Sequence, residues 1–208
     1  MTDEASRVRA LGLEYGFERT ALPSHLAKRF VPLELGDEGR AYLERAFTTR
    51  PGRAKTTLHR VLRTWMSDFD VNGLLDMYPM HLLGTSQWKE LLGATAGFKH
   101  LDVGAGSGDI TRTIAPLASE TVTTEVSKMM ARNLRRAGFR CFQADLARST
   151  VPDPPYDLVT CLNVLDRCER PRSLRASIEI SPATKRLRWA VLQHRSLQRG
   201  RCSTAAIP

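Results

Sequence analysis

Short apolar segments alternate with segments of helical spacing through the second half of the chain. The apolar segments predict strands at 98–103, 121–125, 140–144 and 156–162, with a poorly patterned fifth strand at 187–192. Between them, one helix is predicted after residue 109, and another runs from the N-cap residue Ser127 to a stop signal at Gly138. This alternation indicates an α/β fold with a doubly wound parallel sheet and a ligand site at the carboxyl ends of the strands.

The first half of the chain is predicted to be helical. Short helices are expected at 38–47 and at 86–92. Between them, apolar residues recur at helical spacing: Leu58, Val61, Leu62, Trp65 and Phe69. This stripe predicts a helix that packs on the sheet domain, with Arg60 and Arg63 on a solvated face.

The chain is therefore divided into four parts. They are a partly helical N-terminal extension at 1–52, a helical region packing on the core at 53–96, a core at 97–192 and a basic tail at 193–208. Most of the net charge of +9 lies near the end, because residues 172–208 contain eight Lys and Arg side chains against Glu179 alone. A nucleic-acid enzyme is expected to spread basic surface around its active site, so this distribution argues against RNA or DNA as substrate.

A glycine-rich segment joins the first predicted strand to the first helix of the core. Gly104, Gly106 and Gly108 occupy alternate positions, and Asp102 precedes the first of them by two residues. A dinucleotide site has the spacing G-x-G-x-x-G, and Asp109 would place a carboxylate where a pyrophosphate would sit. The segment thus favours a ligand with a cationic centre and a carboxylate-ammonium tail, the alternative being a glycine-rich turn without a ligand.

Acidic residues also end the next two predicted strands. Glu125 lies where an acid accepts hydrogen bonds from ribose hydroxyls, and Asp145 is placed to accept one from an adenine amino group. Each acid alone could instead be a solvated N-cap at a loop-to-helix junction. Three acids at three successive strand ends are a stronger indication of a ligand site than the glycines alone.

The fourth predicted strand is followed by a further pair of polar residues. This strand neighbours the first at the topological switch point, so its end is expected to face the reacting group of the ligand. Asn163 can offer an amide to a cofactor or substrate, and Asp166 can offer a carboxylate. On propensity alone, a loop turn with Asp166 as N-cap of the next helix is the favoured alternative.

The cysteines and the start of the chain bear on its location. The four cysteines have neither C-x-x-C nor metal-ligand spacing and are typical of reduced intracellular thiols: Cys141, Cys161, Cys168 and Cys202. No metal site is predicted. The sequence has no long apolar span and no signal-peptide core, so an intracellular, by default cytoplasmic, location is expected.

Several motifs resemble known families. The pattern D-x-G-x-G-x-G is similar to the loop of class I S-adenosylmethionine (SAM) methyltransferases, which have a Rossmann-like fold. LDVGAGSGD, TEVS, CLNVLDRCERP and VNGLLDMYPM resemble the DREV family, that of methyltransferase-like protein 9, over about residues 65–171. The resemblance implies a SAM-dependent protein-histidine N-pros methyltransferase whose protein partners carry His-x-His sequences, and family members associate with endomembranes or mitochondria.

The resemblance also implies roles for individual residues. The glycine loop, Glu125 and Asn163 would bind SAM. Apart from the resemblance, Asp102 and Asp145 are predicted from their positions at strand ends to be further cofactor-binding acids. Asp166 would meet the target histidine, since a carboxylate that accepts from one imidazole nitrogen aims the other at the methyl group.

The likeness fades after Pro171, whereas the family chain continues for about a hundred residues and contributes a late tyrosine. The sheet is therefore expected to be incomplete at its C-terminal strands, and this chain is expected to lack the family's N-terminal membrane-targeting segment. Two alternatives remain: a SAM methyltransferase acting on another small molecule or protein side chain, and a truncated, inactive SAM-binding domain.

Overall fold

The computed structural model describes residues 18–48, 52–93, 96–179 and 188–192. The predicted basic tail at 193–208 lies outside these residues. The chain divides into two compact units, residues 1–34 and 35–208. Within the first unit, the described part contains a 3₁₀ turn at Arg19–Ala21 and helix α1 at Ser24–Ala27.

The second unit contains the sheet and the remaining helices. Its described helices are α2 (Asp37–Thr48), α3 (Arg53–Leu62), α4 (Asp68–Leu75), α5 (Thr85–Leu92), α6 (Asp109–Ile114), α7 (Lys128–Arg136) and α8 (Pro171–Glu179). Its described strands are β1 (Phe98–Val103), β2 (Ala118–Glu125), β3 (Arg140–Gln143), β4 (Leu158–Leu162) and β5 (Arg188–Leu192).

The strands form one parallel sheet in the order β3-β2-β1-β4-β5. The order reverses between β1 and β4, which is the predicted switch point. The α/β, Rossmann-like fold class expected from the sequence is confirmed. In the register, Asp102 lies opposite both Thr123 of β2 and Thr160 of β4, so the carboxyl ends of these strands meet at one edge.

Alternate residues of β1 point to opposite faces of the sheet, and helices pack on both faces. One core cluster contains Leu101 and Val103 together with Leu174 and Ile178 of α8. A second cluster contains Phe98 together with Trp88 and Leu92 of α5 and Ile114 of α6. The Trp88 indole also donates to Thr113 Oγ1 at 3.0 Å, which fixes α5 against α6.

The helical region before the sheet differs from the predicted single helix. α3 ends at Leu62, and α4 begins after Ser67, whose hydroxyl caps it by accepting from the Asp70 N–H at 3.1 Å. The predicted apolar stripe is largely exposed, with Val61 54% and Trp65 85% accessible to solvent. The expectation that this stripe packs on the core is therefore wrong. It is α4 that contacts the core, through Val71 and Gly73, which are buried.

Candidate functional site

The glycine loop after β1 turns sharply at three left-handed positions. Gly104, Gly106 and Gly108 have φ angles of 70°, 58° and 79°. A Cβ on Gly104 would lie 2.6 Å from Val164 Cγ2, and one on Gly108 would lie 2.8 Å from Leu134 Cδ2. A Cβ on Gly106 would meet no atom within 4 Å. Two of the glycines thus permit close packing, and the third faces open space.

Asp102 lies beneath this loop at 3% exposure. Its two carboxylate oxygens accept from Thr111 Oγ1 of α6 at 2.6 Å and from Thr160 Oγ1 of β4 at 2.7 Å. Burial raises the pKa of Asp102 to about 6, although the two hydroxyls act in the opposite direction. The carboxylate therefore ties the start of α6 to β4, and contact with a cofactor stays a prediction.

Glu125 ends β2 and is buried beside the same loop. Its Oε2 accepts from the Gly106 N–H at 2.9 Å, and its Oε1 accepts from the Ser127 N–H at 2.9 Å. The side chain thus connects the glycine loop to the start of α7. A carboxylate has about four acceptor positions, so these two bonds leave capacity for ligand hydroxyls.

Asp145 follows β3 and caps the turn after it. Its Oδ1 accepts from the Ala147 N–H at 2.9 Å, and its Oδ2 pairs with Arg148 Nε at 3.2 Å. The preceding residue, Ala144, donates its N–H to the Glu125 carbonyl at 3.1 Å. Asp145 therefore lies next to the end of β2, as expected for adjacent parallel strands.

The segment after β4 approaches the glycine loop from the other side. Asn163 has a φ of 58°, and its Oδ1 is buried without a hydrogen-bond partner among the described residues. Val164 contacts Gly104, and Asp166 is exposed in the next turn, with Arg167 Nε 4.0 Å from its Oδ2. Since a buried polar atom normally has a partner, the Asn163 oxygen has the capacity to accept a hydrogen bond from a ligand, and such a contact stays a prediction.

The structure brings the predicted site residues to one edge of the sheet. A series of contacts links the segment after β4 to Gly104, Gly106 to Glu125, and Glu125 to Ala144. Asp102 is the exception in position, because it is enclosed below the loop. The roles of the predicted site residues in binding and catalysis stay predictions.

Sequence reasoning missed how the helical region contributes to this edge. Asp109 does not project into open space: its Oδ2 accepts from the Met80 N–H at 3.1 Å and from Ser107 Oγ at 2.6 Å. Asp70 of α4 likewise reaches the start of α7, where its Oδ1 accepts from Ser127 Oγ at 2.6 Å. The contacts of Asp109 with Met80 and of Asp70 with Ser127 join residues far apart in sequence, and periodicity gives no sign of them.

A cleft of about 310 Å³ lies between α4, α7 and the glycine loop. Polar side chains from these elements and from α6 line it, including Asn72, Ser107, Arg112 and Asn133. Within the described parts of the chain, no group of three or more His, Cys, Asp or Glu side chains is arranged to hold a metal ion. Nor does any helix among the described residues combine the length and apolar character needed to cross a bilayer.

Comparison with known proteins gives a family match and several similar folds. A family model described as DREV methyltransferase matches residues 15–192. The YcgJ protein from Bacillus subtilis is 19% identical, with a TM-score of 0.46 over 53% of this chain and 50% of that one. A SAM-dependent methyltransferase from Aquifex aeolicus is 14% identical, with a TM-score of 0.44 over 56% of this chain and 68% of that one.

The N-methyltransferase NodS from Bradyrhizobium japonicum, solved with S-adenosyl-L-homocysteine, is 20% identical, with a TM-score of 0.39 over 46% of this chain and 51% of NodS. This chain thus spans about half the length of YcgJ and of NodS. Similarity at these levels concerns the fold alone.

Proposed function

Because the chain belongs to the DREV methyltransferase family, we propose that it transfers a methyl group from SAM to the N-pros nitrogen of histidine in His-x-His sequences of proteins. The family match covers both the glycine loop and the segment after β4. The proposal has two parts, SAM as the methyl donor and histidine as the methyl acceptor. They depend on different residues of the chain, so they can be tested separately.

The residues at the carboxyl edge fit a SAM molecule. The observation that carries the proposal is the buried, unpartnered Oδ1 of Asn163 in the segment that contacts the glycine loop, where Gly106 faces open space. An acceptor that lacks a donor suits a ligand that brings N–H groups, and SAM has both an ammonium and an adenine amino group. Gly106 and Asn163 would line the site, and Glu125 would accept from the ribose hydroxyls.

When bound, SAM supplies an electrophilic methyl group on a sulfonium. The protein's own role in the reaction would be to orient the histidine that accepts the methyl group. Asp166 is exposed near the switch point, where it could do so. Its carboxylate would accept the Nε2–H of the substrate imidazole, which leaves Nδ1, the N-pros nitrogen, unprotonated and nucleophilic. The same carboxylate would stabilise the positive charge that develops on the ring. Holding the imidazole in line would contribute further to the rate.

The proposed role of Asp166 in orienting the substrate imidazole is tested by Asp166→Ala. We expect this variant to bind S-adenosylhomocysteine as the wild type does and to methylate a His-Ala-His peptide at least about 100-fold more slowly, because the imidazole loses its orienting acceptor. Calorimetry measures the first quantity, and mass spectrometry with a chemical assignment of the modified nitrogen measures the second. Glu169→Ala is the control, since Glu169 is an exposed acid a few residues later that pairs with Arg148.

The possible outcomes separate the two parts of the proposal. Wild-type activity in Asp166→Ala would refute the role of Asp166. Binding of S-adenosylhomocysteine without methylation of any His-x-His peptide would refute the histidine acceptor and leave the donor site standing. A wild-type chain that does not bind S-adenosylhomocysteine would refute the donor.

A further inference from the structure

We propose that Asp70, in the helical region before the sheet, is a positioning residue for Glu125, acting through Ser127. This inference rests on the proposed function, because Glu125 is the predicted acceptor for the ribose hydroxyls. It gives α4 a part in building the nucleoside half of the site, and Asp70 itself touches no ligand.

The hydrogen bonds form a continuous path from α4 to Glu125. Asp70 Oδ1 accepts from Ser127 Oγ at 2.6 Å and from the Met129 N–H at 3.2 Å. The backbone N–H of Ser127 donates to Glu125 Oε1 at 2.9 Å. Ser127 is 5% exposed, so water does not compete for these bonds. A shift of Ser127 would therefore move the Glu125 carboxylate.

The carboxylate of Asp70 is itself held firmly. Its Oδ2 accepts from Ser67 Oγ at 2.8 Å, and the Asp70 N–H donates back to that hydroxyl. Burial acts to raise the pKa of Asp70, but the bonds from Ser127, Ser67 and backbone N–H groups lower it overall. The group is thus an anion at the N-terminus of α7, where the helix dipole favours negative charge.

Two further contacts hold α4 on α7, so Asp70 has little freedom to move. Asn133 Nδ2 donates to the Gly73 carbonyl at 2.6 Å. A Cβ on Gly73 would lie 3.0 Å from Met130 Sδ and 3.1 Å from the Met130 nitrogen, so the helices cross as closely as glycine allows. Asp70, Gly73 and Asn133 together clamp α4 along α7.

The test compares Asp70→Ala with Asp68→Ala. Asp68 belongs to the same helix but pairs with Arg63, so its removal leaves α7 untouched. We expect Asp70→Ala to bind S-adenosylhomocysteine about tenfold more weakly, which corresponds to the loss of one good hydrogen bond. Asp68→Ala should bind like the wild type.

A double-mutant cycle distinguishes positioning from a general structural effect. If Asp70 acts through Glu125, adding Asp70→Ala to Glu125→Gln weakens binding little further, because the same interaction is already lost. Additive losses, or equal binding by Asp70→Ala and wild type, would overturn the proposal. Asp70→Asn, which keeps the shape and loses the charge, should weaken binding in the same sense and serves if the alanine variant does not fold.

A readout without ligand separates this inference from the proposed function. In the free protein, Asp70→Ala should speed hydrogen exchange at the Ser127 and Gly106 amides, both bonded to Glu125, about tenfold, whereas Asp68→Ala should not. Unchanged exchange at both amides contradicts the positioning role. If the wild type fails to bind S-adenosylhomocysteine, the proposed function fails, and the exchange rates still decide whether Asp70 orders Glu125.

Discussion

At the scale of single residues, the carboxyl edge owes its shape to polar groups enclosed under it. Asp102 joins Thr111 of α6 to Thr160 of β4, and Thr160 lies 2.8 Å from Nε2 of the buried His100. Burial raises the pKa of Asp102 to about 6 and lowers that of His100 to about 3. The network is thus formed at a cost in desolvation, and its stability depends on pH.

The sign of that dependence can be stated for Asp102. Its pKa is raised on folding from 3.8, so between about pH 4 and 6 the folded chain binds more protons, and the free energy of unfolding falls as pH rises. Asp102→Asn does not titrate at this position. Between pH 5 and 7.5 we therefore expect the free energy of unfolding of the wild type to fall by about 1 kcal/mol relative to that of the variant. Urea unfolding at both pH values measures this. Parallel pH profiles of the two proteins would contradict it.

The glycines provide a matched pair for testing the open side of the loop. Gly106 and Gly138 both have positive φ, and a Cβ on either would meet nothing within 4 Å. Alanine at either position should cost about 1–2 kcal/mol of stability through backbone strain. Only Gly106→Ala should also abolish S-adenosylhomocysteine binding in calorimetry, because its methyl group enters the proposed site. Equal binding by the two variants would place the ligand elsewhere.

At the scale of elements, the crossing of α4 and α7 is the contact that brings the helical region to the sheet. A one-carbon addition at Gly73 meets Met130 at 3.0–3.2 Å, including its backbone nitrogen, which cannot move independently. By contrast, a Cβ on Gly36 would find only ordinary contacts at 3.9 Å or more.

We therefore expect Gly73→Ala to lower the free energy of unfolding by about 1–3 kcal/mol, while Gly36→Ala stays near wild type. Denaturant unfolding measures both variants. A Gly73→Ala protein as stable as wild type would show that α4 can withdraw from α7 without penalty. That result would refute the tight packing of α4 on α7 at Gly73. It would not refute the hydrogen-bond path from Asp70 through Ser127 to Glu125.

At the scale of the whole molecule, the sequence was sufficient to predict the parallel sheet and the edge at which most of the predicted site residues lie. Short apolar or β-branched segments mark β1 to β4, and even the weakly patterned β5 is present at Arg188–Leu192. β2 starts at Ala118, before the predicted residue 121, because a 3₁₀ turn at Ala115–Leu117 leads directly into it. Local signals therefore located strands well and their first residues less well.

The contacts that cross between elements could not be predicted in this way. Asp70 and Ser127 are 57 residues apart, and Asp102 and Thr160 are 58 apart, so neither pair has a local signature. The predicted apolar stripe from Leu58 to Phe69 was misinterpreted for the same reason, because helical spacing shows that an apolar face exists and does not show what packs on it. The predicted Asp102 ligand contact stays untested, while its internal partners emerged only from the fold.

The hydroxyl of Thr160 has a consequence for the imidazole next to it. A hydroxyl carries one proton, and with Asp102 ionised Thr160 must give that proton to the carboxylate. His100 can then bond to Thr160 only by donating from Nε2, so the ring is held as a single tautomer with a bare Nδ1, the nitrogen that finds no partner in the described part of the chain. Protonation of Asp102 would free the hydroxyl to donate to Nε2 instead, which permits the other tautomer of the ring. The protonation state of Asp102 thus decides which tautomers are open to a histidine two positions earlier in the same strand.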